Sequence, residues 1–192
     1  MPVGVIDDVE RVLFSEEKLR AGVDALAERV ASAYRDREFT VISVLKGSCV
    51  FASDLIRRLP ISMELGFVAT ESYRDGVRPG EIELRYLPAR EEIEGREILL
   101  VDDILDTGRT LSFLRDELAA YSPAGVATCV LFDKPSRREV TIEADFKCFD
   151  VDDSFLVGYG LDFAGRYRNL PFVGELKGSI ISAAAAPESE VL

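Results

Sequence analysis

The segment Leu99-Leu100-Val101-Asp102-Asp103-Ile104-Leu105-Asp106-Thr107-Gly108-Arg109-Thr110-Leu111 constrains this chain more than any other. An apolar run, too short to cross a membrane as a helix, leads into two acids. A turn of small polar residues then opens a helical pattern. Physically this is a buried strand over Ile98 to Val101, two carboxylates at its exit, and a helix N-terminus one turn further on. Strands that read as continuous apolar runs are buried on both faces, which is the habit of parallel sheets covered by helices.

The rest of the chain repeats the theme. Ser15 stands before Glu16 and Glu17 as an N-cap with acids in the first turn, where the helix dipole favours them. Leu19, Val23, Leu26, Val30 and Ala33 then recur at helical spacing, so residues 16 to 35 read as an amphipathic helix. Phe39 to Leu45 reads as a buried strand, Val50 to Leu59 as a helix stopped by Pro60, and Ile61 to Ala69 as a strand. Glu71 to Gly80, with Gly, Pro and charges, predicts an exposed loop, and Glu81 to Leu87 a half-exposed strand. Residues 109 to 121 form a helix, Gly125 to Phe132 a further buried strand, and Phe146 to Val151 and Phe155 to Val157 shorter ones. Strand, turn and helix in alternation predict one α/β domain with a central, largely parallel sheet. Residues 183 to 192 read as a frayed tail.

Charge narrows the function classes. Thirty-five acidic residues against 23 basic give a net charge of -12, which argues against a sequence-independent grip on nucleic acid. Any phosphate site here must rest on backbone N–H groups, a few placed cations and a metal. The absence of histidine removes Ser-His, Cys-His and His-metal chemistry together, leaving carboxylates, Lys, Arg and backbone. Cys49, Cys129 and Cys148 form no CxxC pair and read as buried free thiols of a reducing cytoplasm. Met1 to Asp8 lacks the pattern of a signal peptide, and no apolar run approaches a membrane span, so a soluble cytoplasmic protein is expected.

Chemistry concentrates at two turns that follow strands, Lys46-Gly47 and Asp102 to Thr110, and ligands of open α/β sheets bind at such strand ends. Backbone N–H groups of Asp106, Thr107, Gly108, Arg109 and Thr110 would wrap a phosphate at the helix N-terminus. Asp102 and Asp103 would lie within reach of sugar hydroxyls or the waters of Mg²⁺. A Walker B reading is weak because no G-x-x-x-x-G-K-[ST] precedes it.

The string resembles the phosphoribosyl pyrophosphate signature of type I phosphoribosyltransferases. Leu45-Lys46-Gly47, Ser72-Tyr73, Asp133-Lys134-Pro135-Ser136-Arg137-Arg138, Phe155 to Asp162, and Tyr167-Arg168-Asn169-Leu170-Pro171 accompany it in order. That set is similar to hypoxanthine-guanine phosphoribosyltransferases of the bacterial kind, over roughly residues 5 to 176. The resemblance implies a type I phosphoribosyltransferase fold in a single domain over 1–182, with a core at 37–145 and a small hood from 1–36 and 146–182. It implies a purine-salvage transfer from phosphoribosyl pyrophosphate to hypoxanthine or guanine, with Mg²⁺, in a homodimer or homotetramer that needs neither nucleic acid nor membrane.

The resemblance also assigns roles. Asp102 and Asp103 would hold the ribose hydroxyls and, with Asp162, the metal. The family more often has Glu-Asp, so the shorter Asp102 would reach its hydroxyl through water. Asp106 would be the general base near N7 of the purine. Lys46 and Gly47 would contact pyrophosphate in a loop containing a non-proline cis peptide, with Arg168 as a second contact. Lys134 would donate to the 6-oxo group, Phe155 would stack on the base, and Leu156 and Asp162 would complete the purine site. Ser72-Tyr73 would begin a lid. Arg137-Arg138 reads as a solvated face or a subunit contact. A transferase for xanthine or another nucleobase is the nearest alternative. An RNA-binding regulator on the same fold is remote, since only Arg137-Arg138 and Arg57-Arg58 offer clustered basic charge.

Overall fold

The computed structural model describes residues 5–72 and 82–185. In chain order these hold β1 (Val9–Phe14), α1 (Glu16–Ala33), β2 (Phe39–Leu45), α2 (Cys49–Ile56), β3 (Glu64–Ser72), β4 (Ile82–Tyr86), β5 (Glu97–Leu105) and α3 (Arg109–Ala119). They continue with β6 (Gly125–Asp133), β7 (Phe146–Asp150), β8 (Leu156–Val157), β9 (Val173–Leu176) and α4 (Gly178–Ala185). The expected α/β architecture is present. A six-stranded sheet runs β4-β3-β2-β5-β6-β7, parallel except for the antiparallel edge strand β4.

Period-two burial explains why helices cover both faces of this sheet. Phe39, Val41, Leu99, Val101, Cys129 and Leu131 face one layer, where Leu19, Val23 and Leu26 of α1 and Phe51 and Leu55 of α2 join them. Ile42, Val44, Ile98, Leu100 and Val130 face the other, with Leu111, Leu114 and Leu118 of α3. Residues alternating along a strand point to opposite faces, so central strands that are apolar throughout require helices on each side. Ser15 caps α1 as expected, its hydroxyl accepting from the Lys18 N–H at 3.3 Å.

A second sheet, β1-β9-β8, ties the two ends of the chain together. β9 pairs antiparallel with both neighbours, with Val12 opposite Gly174 and Leu156 opposite Glu175. Val157, Tyr167, Leu170 and Leu176 make a small core beneath it. β1 precedes the first element expected from the sequence, because Glu10 and Arg11 hide its pattern. β7 pairs with β6, so the large sheet extends to Asp150 rather than stopping at 145. α1 packs on that sheet too, so of the N-terminal segment it is β1 that joins the second one.

Several boundaries differ from expectation. β5 does not end at Val101, because its ladder with β6 continues through Asp102 opposite Val130 and Ile104 opposite Phe132. The two acids therefore sit inside the strand. β3 begins at Glu64 and runs to Ser72, which pairs with Ile82 of β4, two residues into the expected loop. Tyr73 and residues 74–81 lie outside the described residues. Ala183 to Ala185 belong to α4, and 186–192 lie outside the described residues. No helix among the described residues is long and apolar enough to cross a membrane.

The strand order sets the site. From β2 the chain goes outward through α2 to β3, whereas β5 leads through α3 to β6 on the other side. The carboxyl ends of β2 and β5 thus flank the point where the winding reverses, and such a crevice is where open α/β sheets bind ligands.

Candidate active site

A cleft of about 650 Å³ opens at that reversal. Its walls include Lys46 and Gly47 after β2, Asp102 and Asp103 in β5, Asp106, Thr107, Gly108 and Thr110 before and within α3, and Asp162 and Arg168 from the C-terminal loops. Segments more than a hundred residues apart in sequence thus converge on one space.

The Lys46-Gly47 turn is pressed against the acids. A Cβ on Gly47 would stand 1.8 Å from Asp103 Oδ2, and one on Gly160 would stand 2.1 Å from the Gly47 carbonyl oxygen. Neither position has room for a side chain. The non-proline cis peptide expected of this loop is Leu45–Lys46, the bond leading into Lys46.

Asp102 is 7% exposed and Asp103 half-buried. Each carboxylate folds back on the strand: Asp102 Oδ1 accepts the Asp103 N–H at 2.9 Å, and Asp103 Oδ1 accepts the Ile104 N–H at 2.8 Å. Burial, and then the Asp103 charge, pushes Asp102 well above the ordinary carboxylate range. Burial raises Asp103 too, opposed by the Asp102 hydrogen bond, the Ile104 N–H and the Arg168 charge. Two desolvated carboxylates side by side are stabilised by a cation or by hydroxyl donors.

Next to the acids, α3 starts on a glycine, and of its first-turn N–H groups that of Arg109 reaches Thr107 Oγ1 at 3.4 Å. Its N-cap is Gly108 at φ 84°, which offers no hydroxyl or carboxylate to the first-turn N–H groups. Unsatisfied N–H groups and a positive dipole end make an anion site. Arg109 contributes only its backbone there, because its side chain turns to Glu139 at 2.6 Å. Asp106 is therefore not the cap. Its Oδ1 is buried and accepts no hydrogen bond from any described residue, although Arg137 Nε stands 3.0 Å away.

The C-terminal loops bring the remaining cation. Arg168 donates to the Gly160 carbonyl at 2.7 Å and pairs with Asp162 at 2.7 Å, while the second Asp162 oxygen accepts the Gly165 N–H at 2.8 Å. Among the described residues no group of three or more His, Cys, Asp or Glu is placed to hold a metal. Magnesium usually takes one or two carboxylates and completes its shell with water and substrate phosphates, so a ready-made cage is not required. The buried Asp102–Asp103 pair suits such a dication, with Asp162 on the same cleft.

A buried lysine adjoins Asp106. The Lys134 N–H donates to the Leu105 carbonyl at 2.9 Å, which brings Lys134 beside Asp106. Lys134 is 6% exposed, and its Nζ donates to the Ser154 carbonyl at 2.6 Å, leaving two further protons to give. Burial depresses its pKa, opposed by the Asp106 and Asp153 charges. Phe155 is 42% exposed and braced edge-on by Phe163 at 5.2 Å, so one ring face is open. Leu156 is buried in the main core, and its backbone pairs with Glu175 in the β8–β9 ladder.

Three contributors escape a reading by motif. Arg138 is no solvated charge: it donates to the Leu105 and Asp106 carbonyls and pairs with Asp133, fixing the turn that carries Asp106. The acid at the end of β6, Asp133, is the signal that could have found it. Thr70 and Arg85 line the cleft from β3 and β4, and Arg85 pairs with Glu71 and Glu83.

The chain matches the model of the phosphoribosyl transferase domain over residues 13–164. It is 39% identical over 176 residues to the hypoxanthine-guanine phosphoribosyltransferase of Streptococcus pyogenes, covering 91% of this chain and 97% of that one. It is 41% identical over 177 residues to the bifunctional protein TilS/HprT of Listeria innocua, covering 92% of this chain but spanning only 27% of that relative's length. A hypoxanthine phosphoribosyltransferase of Trypanosoma cruzi, solved with the product IMP, superposes with a TM-score of 0.87 at 32% identity, covering 98% of this chain and all of that one.

Proposed function

The chain belongs to the phosphoribosyl transferase family, and on that premise we propose that it transfers the 5-phosphoribosyl group of phosphoribosyl pyrophosphate to hypoxanthine or guanine. The products are IMP or GMP and pyrophosphate, and the role is purine salvage. One observation carries the reading. Asp106, its side chain 37% exposed, lines a cleft suited to a phosphorylated sugar and stands beside Lys134. A carboxylate so placed is an acceptor for a ligand N–H.

The chemistry follows from that arrangement. The start of α3 receives the 5-phosphate, and Asp102 and Asp103 take the ribose hydroxyls. Lys46, the Gly47 backbone and Arg168 hold the pyrophosphate. Lys134 donates to the 6-oxo group, and Phe155 stacks on the ring. An imidazole nitrogen of the base attacks the anomeric carbon, the bond to pyrophosphate breaks, and the N7 proton passes to Asp106. Asp102, Asp103 and Asp162 would hold Mg²⁺ together with the substrate, and the ion would supply charge neutralisation for the leaving pyrophosphate. The average charge of -12 does not oppose this, because the anions meet backbone N–H groups and local cations.

An adenine ring presents an amino group where Lys134 needs an acceptor, so selectivity for 6-oxopurines is built into that contact. Neither xanthine preference nor RNA regulation is favoured by any feature of the site. Segment 73–81, with Ser72 and Tyr73 at its start, would act as the lid. The protein would work in the cytoplasm as a homodimer or homotetramer of one domain over 1–182, consistent with its three free thiols.

Initial rates with hypoxanthine, guanine, xanthine, adenine, uracil and orotate, each with and without Mg²⁺, test the proposal. Turnover should appear with hypoxanthine or guanine and only with the metal. No turnover on any 6-oxopurine would overturn it.

A further inference from the structure

The turn after β6 carries a second basic residue that the reaction above does not use. Arg137 Nε stands 3.0 Å from Asp106 Oδ1, and its Nη1 donates to Asp153 Oδ1 at 3.0 Å. One planar guanidinium therefore spans two carboxylates on different parts of the fold: Asp106 on the turn between β5 and α3, and Asp153 on the segment between β7 and β8. Asp153 lies two residues before Phe155, and the residue between them, Ser154, is the one whose carbonyl takes Lys134. The loop that presents the stacking ring is thus gripped at successive residues by two cations of one turn.

The contact to Asp106 has an unusual form. Although Arg137 Nε is close, it is not aligned to make a hydrogen bond, and Asp106 Oδ1 is buried without one. Charge attraction fixes Oδ1 against the guanidinium, while the carboxylate as a whole stays 37% exposed on the cleft. Arg137 is 46% exposed, and exposed pairs of this kind contribute at most about 1 kcal/mol to stability, so fold maintenance is a poor account of it. A planar guanidinium suits such a double contact, with Nε turned to one carboxylate and Nη1 to the other.

We propose that Arg137 is a positioning residue for the base, aligning the Asp106 carboxylate at one end and, through Asp153, setting the loop of Phe155 at the other. This inference rests on the transfer reaction proposed above. It separates two effects. The Asp106 end governs the chemical step, and the Asp153 end governs how well the base is held. Phosphoribosyl pyrophosphate, bound in the neighbouring cleft that Arg137 does not line, is untouched.

The test is steady-state kinetics of Arg137→Met, Asp153→Asn and the double variant, with hypoxanthine and phosphoribosyl pyrophosphate varied separately. Arg137→Met should lower kcat about tenfold and raise KM for hypoxanthine about fivefold, with KM for phosphoribosyl pyrophosphate within about twofold of wild type. Asp153→Asn should raise KM for hypoxanthine alone. The double variant should be no worse in that KM than Arg137→Met, since both remove one contact. Unchanged kinetics in Arg137→Met, additive effects in the double variant, or an equal rise in KM for both substrates would each overturn the inference. Wild-type turnover with an unaffected Arg137→Met removes this inference only. A wild type that turns over no 6-oxopurine removes the proposed reaction with it.

Discussion

Gly47 lies so close to Asp103 that any Cβ at position 47 would stand 1.8 Å from the carboxylate oxygen Oδ2. The turn after β2 therefore fits against β5 only while position 47 has no side chain. Gly47→Ala must push the acid or the loop aside, and overpacking of this kind costs about 1–3 kcal/mol. In the proposed reaction pyrophosphate and ribose meet there, so KM for phosphoribosyl pyrophosphate should rise about tenfold or more. KM for hypoxanthine should change much less, and equal changes in both would count against this placement.

Asp106→Asn keeps the shape of the side chain and removes its ability to take a proton. Removing a general base typically costs about 10²–10⁴-fold in rate. Turnover should fall within that range while phosphoribosyl pyrophosphate binding, measured by calorimetry, stays near wild type. Turnover close to wild type would show that the N7 proton goes elsewhere.

Lys134→Gln exchanges an obligate donor for a group that can also accept. The preference for hypoxanthine over adenine, expressed as a ratio of kcat/KM, should drop by about 10²-fold, as expected when a buried polar contact stops discriminating. A ratio that does not move would remove Lys134 from base selection.

Asp102 provides a pH-dependent signature in the ligand-free protein. Burial and the Asp103 charge hold its folded pKa well above the ordinary carboxylate range. A carboxylate raised in this way favours the folded state at low pH, and that contribution is lost as pH rises through the folded value. At pH 8 the folded protein must either bury this charge or hold a proton that the unfolded chain releases, a cost that Asp102→Asn lacks. The variant should melt higher than wild type at pH 8, by about 2–4 °C for each kcal/mol relieved. The gap should close toward pH 4. A wild type that melts above the variant at pH 8 would contradict the assignment.

Much of this was legible before any coordinates. The alternating strand and helix pattern yields the large sheet, because β2, β5 and β6 are apolar throughout and leave no other reading. The phosphate turn and Lys134 were legible because each is a local motif. What was hidden is what depends on distant partners. β1 is not visible as a strand because Glu10 and Arg11 are exposed on it and its pairing partner, β9, lies some 160 residues away. Asp102 and Asp103 read as strand-end acids because carboxylates are rarely buried, yet the β6 ladder carries them inside the sheet. Arg137 and Arg138 read as one solvated pair. Only the fold shows Arg138 turned inward to Asp133 while Arg137 reaches across to Asp106 and Asp153.

The account turns on one selectivity. With phosphoribosyl pyrophosphate and Mg²⁺ present, kcat/KM measured for hypoxanthine and for adenine on the same preparation tests it most directly. The proposed site predicts efficient formation of IMP, with one pyrophosphate released per nucleotide, and a value for adenine lower by about 10²-fold or more. Comparable values for the two bases, or turnover of adenine alone, would contradict it.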